Sequence, residues 1–531
     1  MAKDVRLLVS VCCILAATVA QLGQASDPVT DPLRGLLPVK EQSPRNPLRP
    51  HIILIVLDDL GWDDISLHGS PQIETPNIDR FAKEGVLLEN YYTQPICTPS
   101  RGALMTGMYP VHLGLQHDVI QEAEPWGLPA EFKIMPQYLN EAGYESHIVG
   151  KWHLGHSRSE LLPTRRGFKT HFGFRLGRSD YFDHWATGQS FAALDLWSNE
   201  SPEKGCYGIY GTDLFTNRAI GILENHNKSI PLFLYLSHQS VHVGGNVQPL
   251  QAPAPLVEQY DTKITHDKRR HYAPMVLAAD KAIGTFMDAI KKYGFDNNSI
   301  VIFTNDNGGP VNGMSGGGSS NHPLRGSKYT LWEGGIRGTA AIWAPQLLQP
   351  KKYTGLTHIS DFLPTLLEAL DIPIPKGIDG ISFWNQILTG KESARTELLH
   401  NIDPIWKTYA YRKGDYKLIY GQYDNGNFDN WYPTPESSQF DRTVKCNDSS
   451  NFCSGKNKFC LFNIRTDPCE QNNVFDEHPD IVKDLSERLK NYSKTMRPVE
   501  NLPSTTLADP ARYDYVWMPW EDYHLPGLHQ C

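Results

Sequence analysis

Two kinds of run are missing from this 531-residue sequence. Beyond the first 20 residues no apolar stretch is long enough to span a bilayer, and nowhere is there a basic run. The first absence excludes a bundle of membrane-spanning helices, and the second removes the usual footprint of a nucleic-acid binder. Internal repeats are also absent, which excludes a solenoid. Formal net charge is −9, so an anionic substrate has to be held by a local positive site, not by the field of the whole chain. Charged residues make up 21% and Gly and Pro are at ordinary levels, so most of the chain is expected to be ordered. A hydrophobic content of 40% over this length supports a large core and two or more domains.

Cysteine is scarce, with nine in all. Cys12 and Cys13 fall in an N-terminal segment with the marks of a secretory signal: Lys3 and Arg6, then the apolar run 7–20, then small residues. Cleavage is expected near Ala20 or Ala25, which leaves a soluble protein with no membrane anchor. Asn199, Asn227, Asn297, Asn447 and Asn491 stand in N-x-Ser sequons and fit that route. Seven cysteines then remain, and in an oxidising compartment most should pair. Four of them, Cys446, Cys453, Cys460 and Cys469, predict a stapled loop. Cys97 is the expected odd one out.

The chain divides into a signal (1–25), a Pro-rich arm (26–48), a large domain (49–403) and a smaller one (404–531). In the large domain short apolar runs alternate with helical patterns, which predicts an α/β fold with a large, mostly parallel sheet sandwiched by helices. Four runs, at 52–57, 146–149, 232–236 and 300–303, read as buried strands. Their carboxyl ends deliver Asp58-Asp59, Lys151 and His153, Ser237-His238 with His242, and Asp306-Asn307. Ligands of open α/β sheets bind at that edge. Helices are predicted from Pro76 to Gly85, 272–293, 360–370 and 479–492. The Gly/Ser-rich segment 312–321 reads as a loop rimming the site or as a plain connector. The smaller domain predicts a hairpin over 409–420, turning at 413–415, and an aromatic tail packed back on the body.

Adjacent carboxylates repel unless a cation lies between them, and oxygen ligands suit a hard divalent ion. Asp58, Asp59, Asp306 and Asn307 therefore predict a metal cage, calcium before magnesium. Lys151 supplies fixed charge, and His153 and His242 can move protons near neutral pH. Lys328 is a further candidate cation. In Cys97-Thr98-Pro99-Ser100-Arg101, Thr98 is placed to cap a helix starting at Pro99. Cys97 would then precede a helix N-terminus with Arg101 nearby, a setting that favours anions and lowers a thiol pKa.

Cys97-Thr-Pro-Ser-Arg101, followed by Gly102-Ala-Leu-Met-Thr-Gly107, resembles the modification motif of the type I sulfatase family, whose fold is alkaline-phosphatase-like. Gly150-Lys-Trp-His-Leu-Gly155, Leu162-Pro-Thr-Arg-Arg-Gly-Phe168, Trp332-Glu-Gly-Gly335 and Leu399-His-Asn-Ile-Asp-Pro404 look like its arylsulfatase B branch, the N-acetylgalactosamine 4-sulfatases. The resemblance implies that a formylglycine-generating enzyme converts Cys97 during secretion, and that the aldehyde hydrate attacks sulfur. It implies Asp58, Asp59, Asp306 and Asn307 as calcium ligands, with modified Cys97 beside the ion. Arg101 and Lys151 would hold formylglycine and sulfate, His153 would assist turnover of the hydrate, and His242 and Lys328 would bind sulfate and protonate the leaving oxygen. A lysosomal or secreted hydrolase of sulfated sugars is implied.

Two loops depart from that branch: 243–249 after His242, and 118–126, which lacks the branch's cysteines. Both are expected to border the pocket. A small plant sulfate of the glucosinolate type is the second substrate reading. A non-catalytic glycan-binding relative would keep Cys97 as a thiol or have a blocked pocket. Phosphatases and phosphodiesterases of this fold place Ser or Thr at the nucleophile and fit poorly.

Overall fold

The computed structural model describes residues 49–188, 191–245, 248–434, 444, 446, 453 and 458–523. The expected signal and arm, Asn447 and Cys531 lie outside these residues. A ten-stranded sheet runs in the order Lys351–His358, Val86–Tyr92, Ala340–Trp343, Ser299–Asn305, His51–Leu57, Leu232–Ser237, Glu145–Gly150, Thr170–Gly173, Trp197–Ser198, Ser201–Pro202. The five strands from Ser299–Asn305 to Thr170–Gly173 are mutually parallel. Antiparallel pairings flank them on both sides.

Period-two alternation splits each central strand between two apolar layers. Ile53, Ile55 and Leu57, with Leu232, Leu234 and Leu236, face one layer, which includes residues of helices Pro76–Glu84, Gly211–Asn225 and Asp267–Lys292. Ile52, Leu54 and Val56, with Phe233 and Tyr235, face the other, which includes residues of helices Cys97–Thr106, Met135–Glu141 and Phe362–Ala369. Burial on both faces explains why these strands read as unbroken apolar runs.

Register sets the site. Leu57 is level with Asn305, Val56 with Ser237, and Ser237 with Gly150. The residues that follow all four strands therefore emerge at one edge of the sheet.

Pro76–Glu84 has Pro at its first position and Gly85 after its last, as expected. Asp267–Lys292 begins five residues before the predicted start, because the His266 side chain caps it by accepting from Arg269 N. Segment 312–321 is only partly a rim. Ser315 lines the cavity, whereas Ser320 Oγ donates to Asp63 and Asn321 is pinned to Gly309. A four-stranded antiparallel sheet of Glu397–Asp403, Thr408–Lys413, Tyr416–Tyr420 and Phe459–Asn463 carries the predicted hairpin, and helix Pro479–Thr495 packs on it. Disulfides Cys446–Cys469 and Cys453–Cys460 staple the expected loop. The aromatic tail docks as anticipated, with buried Trp517 donating to Ala186 O.

Candidate active site

The helix carrying the motif runs from Cys97 to Thr106, and all ten residues are buried. It starts two positions earlier than the sequence suggests. Ile96 is the N-cap, and Thr98 donates to His153 O instead of capping. Pro99 falls at the third helical position, where a backbone N–H has no helical acceptor to lose. Gly107, at φ +70°, closes the helix with its N–H on Ala103 O.

Cys97 is thus the first residue of the helix and lies among the strand-end groups. Its Sγ is 3.4 Å from Asp58 Oδ1 and 3.5 Å from Asn307 Oδ1. Arg101, one turn on, donates Nε and Nη2 to Asp306 Oδ2 at 3.0 and 2.8 Å, with Nη2 also 3.4 Å from Asp58. Lys151 Nζ donates to Asp58 Oδ2. Lys328 Nζ is 2.7 Å from Asp59 Oδ1, and Asn307 Nδ2 donates to the same oxygen at 2.7 Å. His242 Nε2 lies 3.5 Å from Asp59 Oδ2. Every candidate residue named from the sequence therefore falls within one connected, buried cluster, apart from His153, which enters through the cavity wall.

His153 does not share an extended segment with Lys151, because its backbone turns to φ +57°. The ring is fixed instead by Nε2, which donates to Ile120 O at 2.9 Å, and buried Nδ1 has no protein partner. Ile120 belongs to the divergent loop 118–126, so the wall that orients His153 is also a wall of the pocket. Cys97, Val119–Glu122, His153, Arg178, His242, Val243, Ser315, Lys328 and Tyr329 line a cavity of about 180 Å³. Both divergent loops border it, as expected.

Charge in this buried space is tightly matched. Asp58, Asp59 and Asp306 face Arg101, Lys151 and Lys328. Burial pushes Asp58 up, but Lys151, His242 and Arg101 override it and hold the carboxyl well below the usual range. Burial and the neighbouring Asp58 charge raise Asp306. Burial lowers His242 to about 4, and burial together with Lys151 depresses His153, so both imidazoles are neutral at physiological pH. The Cys97 thiol is pushed up by burial and by Asp58, opposite to the lowering expected from a helix N-terminus. Desolvation and a carboxylate at contact distance outweigh the helix dipole, so the unmodified thiol is a poor nucleophile here.

Three supporting groups were assigned no role from the sequence, although Ser237 was placed at a strand end. Ser237 Oγ and Tyr235 OH accept from Arg101 Nη1 at 2.6 and 3.3 Å, and Tyr181 OH donates to His242 O at 2.8 Å. Tyr235 sits in an apolar run, where only the strand's period-two alternation hints that it faces the Arg101 side.

The sequence matches the Sulfatase family profile over residues 50–372. It is 41% identical to mouse (Mus musculus) arylsulfatase J over 496 residues, covering 89% of this chain and 80% of that protein. It is 30% identical to human (Homo sapiens) N-acetylgalactosamine-6-sulfatase over 362 residues, covering 65% and 67%. Among solved structures, the crystal structure of Ps i-CgsB superposes with a TM-score of 0.72 at 26% identity, over 88% of this chain and 97% of that one. A buried cluster of matched charges around Cys97 at the sheet edge and a family match spanning the strands that build it lead to one conclusion: the chain belongs to the sulfatase family and is a sulfuric ester hydrolase.

Proposed function

We propose that the enzyme releases sulfate from a 4-sulfated N-acetylgalactosamine of glycosaminoglycan type, using calcium and a formylglycine made from Cys97. The observation that carries this reading is the position of Cys97. It is unpaired, 2% exposed, on the cavity lining, and surrounded by the charged strand-end groups.

The residues present fit a hard cation. Donor atoms of Asp58, Asp59, Cys97 and His242 lie within 4.8 Å of one another, and the Asn307 amide oxygen faces the same sulfur. His242 Nδ1 donates to Val243 O, so its Nε2 turns a lone pair toward Asp59 Oδ2. Two acceptors facing each other in a buried site favour a cation between or beside them, a demand that Lys328 Nζ, 2.8 Å from Asp59 Oδ2, meets in part. Asp58, Asp59, Asp306 and Asn307 would hold it, an oxygen set suited to calcium. When bound, the ion withdraws charge from sulfate oxygens, while modified Cys97 supplies the attacking hydroxyl.

The remaining chemistry belongs to fixed side chains. Arg101 and Lys151 hold positive charge beside position 97, and Lys328 extends it into the cavity, where an anionic sulfate group is stabilised as its charge shifts. His153 Nδ1, buried and without a partner, accepts a proton at the cavity wall. Lys328, on the lining near Asp59, is placed to protonate the leaving oxygen, and His242 can share that role once its Nε2 has taken up a proton.

The aminosugar reading draws on the relative named N-acetylgalactosamine-6-sulfatase and on the Ps i-CgsB structure with k-i-k-neocarrahexaose, an oligosaccharide. The acidic chain and Glu122 in the cavity wall favour the second reading, a small glucosinolate-type sulfate. Secretion through a lysosomal or extracellular route, with conversion by a formylglycine-generating enzyme on the way, is supported by the two disulfides and by exposed Asn199, Asn227, Asn297 and Asn491.

Peptide mass analysis of protein secreted from animal cells tests the core of this reading. The peptide containing residue 97 is expected to have lost sulfur and gained a carbonyl oxygen, and Cys97→Ala to release no sulfate from an aryl sulfate. A retained thiol in active protein overturns it. Comparing a 4-sulfated aminosugar, a glucosinolate and an aryl sulfate by kcat/KM then decides the substrate.

A further inference from the structure

A second group of metal-ligating side chains lies away from the cavity, at the opposite end of a strand that serves it. Glu145 and His147 are two apart on strand Glu145–Gly150, so their side chains share one face. His226 follows helix Gly211–Asn225, as the residue that ends it. His147 Nε2 is 3.1 Å from Glu145 Oε1, and His226 Nδ1 is 3.8 Å from the same oxygen. All three donor atoms lie within 4.8 Å of one another. They open on a groove of about 390 Å³.

The atoms behind each donor are committed elsewhere. His226 Nε2 donates to Ile230 O at 2.8 Å, so Nδ1 carries the lone pair and turns it toward a carboxylate oxygen. His147 Nδ1 is held by Thr170 Oγ1 at 2.7 Å. Lys169 Nζ takes Glu145 Oε2 at 2.5 Å, which leaves Oε1 facing the imidazoles. This is the outer-shell pattern that orients imidazole and carboxylate ligands. Both rings are nearly covered, with 8% and 2% of the side chain exposed, whereas Glu145 keeps 24%.

We propose that Glu145, His147 and His226 form a zinc site with a fourth position open to the groove. A tetrahedral ion with ligands near 2.0–2.1 Å separates its donors by about 3.3–3.4 Å, and the two measured separations from Oε1, 3.1 and 3.8 Å, bracket that value. Two imidazole nitrogens and one carboxylate oxygen select zinc over calcium or magnesium, which require more oxygen ligands. The site ties the start of strand Glu145–Gly150 to the end of a neighbouring helix. The other end of that strand delivers Lys151 and His153, so the ion braces the scaffold of the catalytic edge.

The test uses the full-length secreted protein, freed of transition metals and kept in calcium. Calorimetric titration with zinc chloride is expected to show one equivalent bound at micromolar or tighter Kd, with a thermal midpoint that rises with zinc. Glu145→Gln and His226→Gln are each expected to weaken uptake by about 100-fold or abolish it, with aryl-sulfate turnover retained. The near-isosteric, partly exposed Glu145→Gln guards against misfolding. In a copper(II)-loaded sample, two nitrogen couplings are expected in the electron paramagnetic resonance spectrum. No zinc uptake, or uptake that survives both substitutions, overturns the site and leaves a hydrogen-bonded Glu–His pair only.

Discussion

Lys151 contacts Asp58 with both side chains fully buried, while the other cation near that carboxylate, Arg101, is 3.4 Å away and already engaged with Asp306. Lys151→Met therefore leaves Asp58 under-compensated and removes charge aimed at sulfate. The expected outcome is a fall in kcat of about 10²–10³-fold with an aryl sulfate. Lys151→Arg is not expected to restore it, because a planar fork does not fit a point-charge position. His117 offers a pH prediction. Burial opposes its charge, but the hydrogen bond to Asp403 Oδ2 at 2.9 Å and that carboxylate's charge raise its pKa. A raised folded value means the pair stabilises the protein fully below the unfolded histidine value, about 6.5, and loses that contribution as pH rises through the folded value. His117→Gln should lower the thermal midpoint at pH 5 and leave it nearly unchanged at pH 9.

Strand ends place the charged groups, and one glycine sets the closest approach between two of them. Gly150 sits at φ +101°, and a Cβ there would lie 1.9 Å from Ser237 O. Lys151 N donates to that same carbonyl at 2.8 Å. Gly150→Ala is thus strained twice, by backbone conformation and by contact. A loss of about 3 kcal/mol or more is expected in urea unfolding, together with loss of turnover as Lys151 shifts. The glycine was visible in the sequence, but its reason was not, because Ser237 is 87 residues away. Helix starts show the same limit. Pro99 marked a start correctly in type and wrongly in position, since tertiary burial of Cys97 and Thr98 extended the helix backward.

The two sheets share one apolar cluster. Tyr92, Leu331 and Trp332 pack with Leu398, Leu461 and Leu485. Buried Lys417 bridges Glu333 and Glu470 at 3.0 and 2.8 Å, joining the small sheet to the Trp332-Glu-Gly-Gly335 segment. Removing Lys417 takes the ion-pair partner from buried Glu470 and leaves buried Glu333 with Arg337 at 3.9 Å. Lys417→Met is expected to cost about 3–5 kcal/mol, read as a shifted urea midpoint. Because the cluster is continuous, near-UV circular dichroism and sulfatase activity should be lost together in one transition; two separated midpoints would show that the sheets unfold independently.

The sequence by itself determined the elements and the chemical inventory. Apolar runs buried on both faces are legible as strands, turn residues mark their ends, and the cysteine motif with its neighbouring carboxylates, lysines and histidines names a sulfatase. Only the tertiary structure decided which of these groups meet. Parallel register levels four strand ends that lie up to about 250 residues apart, so Asp58, Lys151, His242 and Asp306 converge on Cys97, and the loop carrying Lys328 folds over to join them. It also decided the electrostatics. Desolvation and contact charge, which depend on packing, raise the Cys97 thiol where local helix position alone argued the reverse.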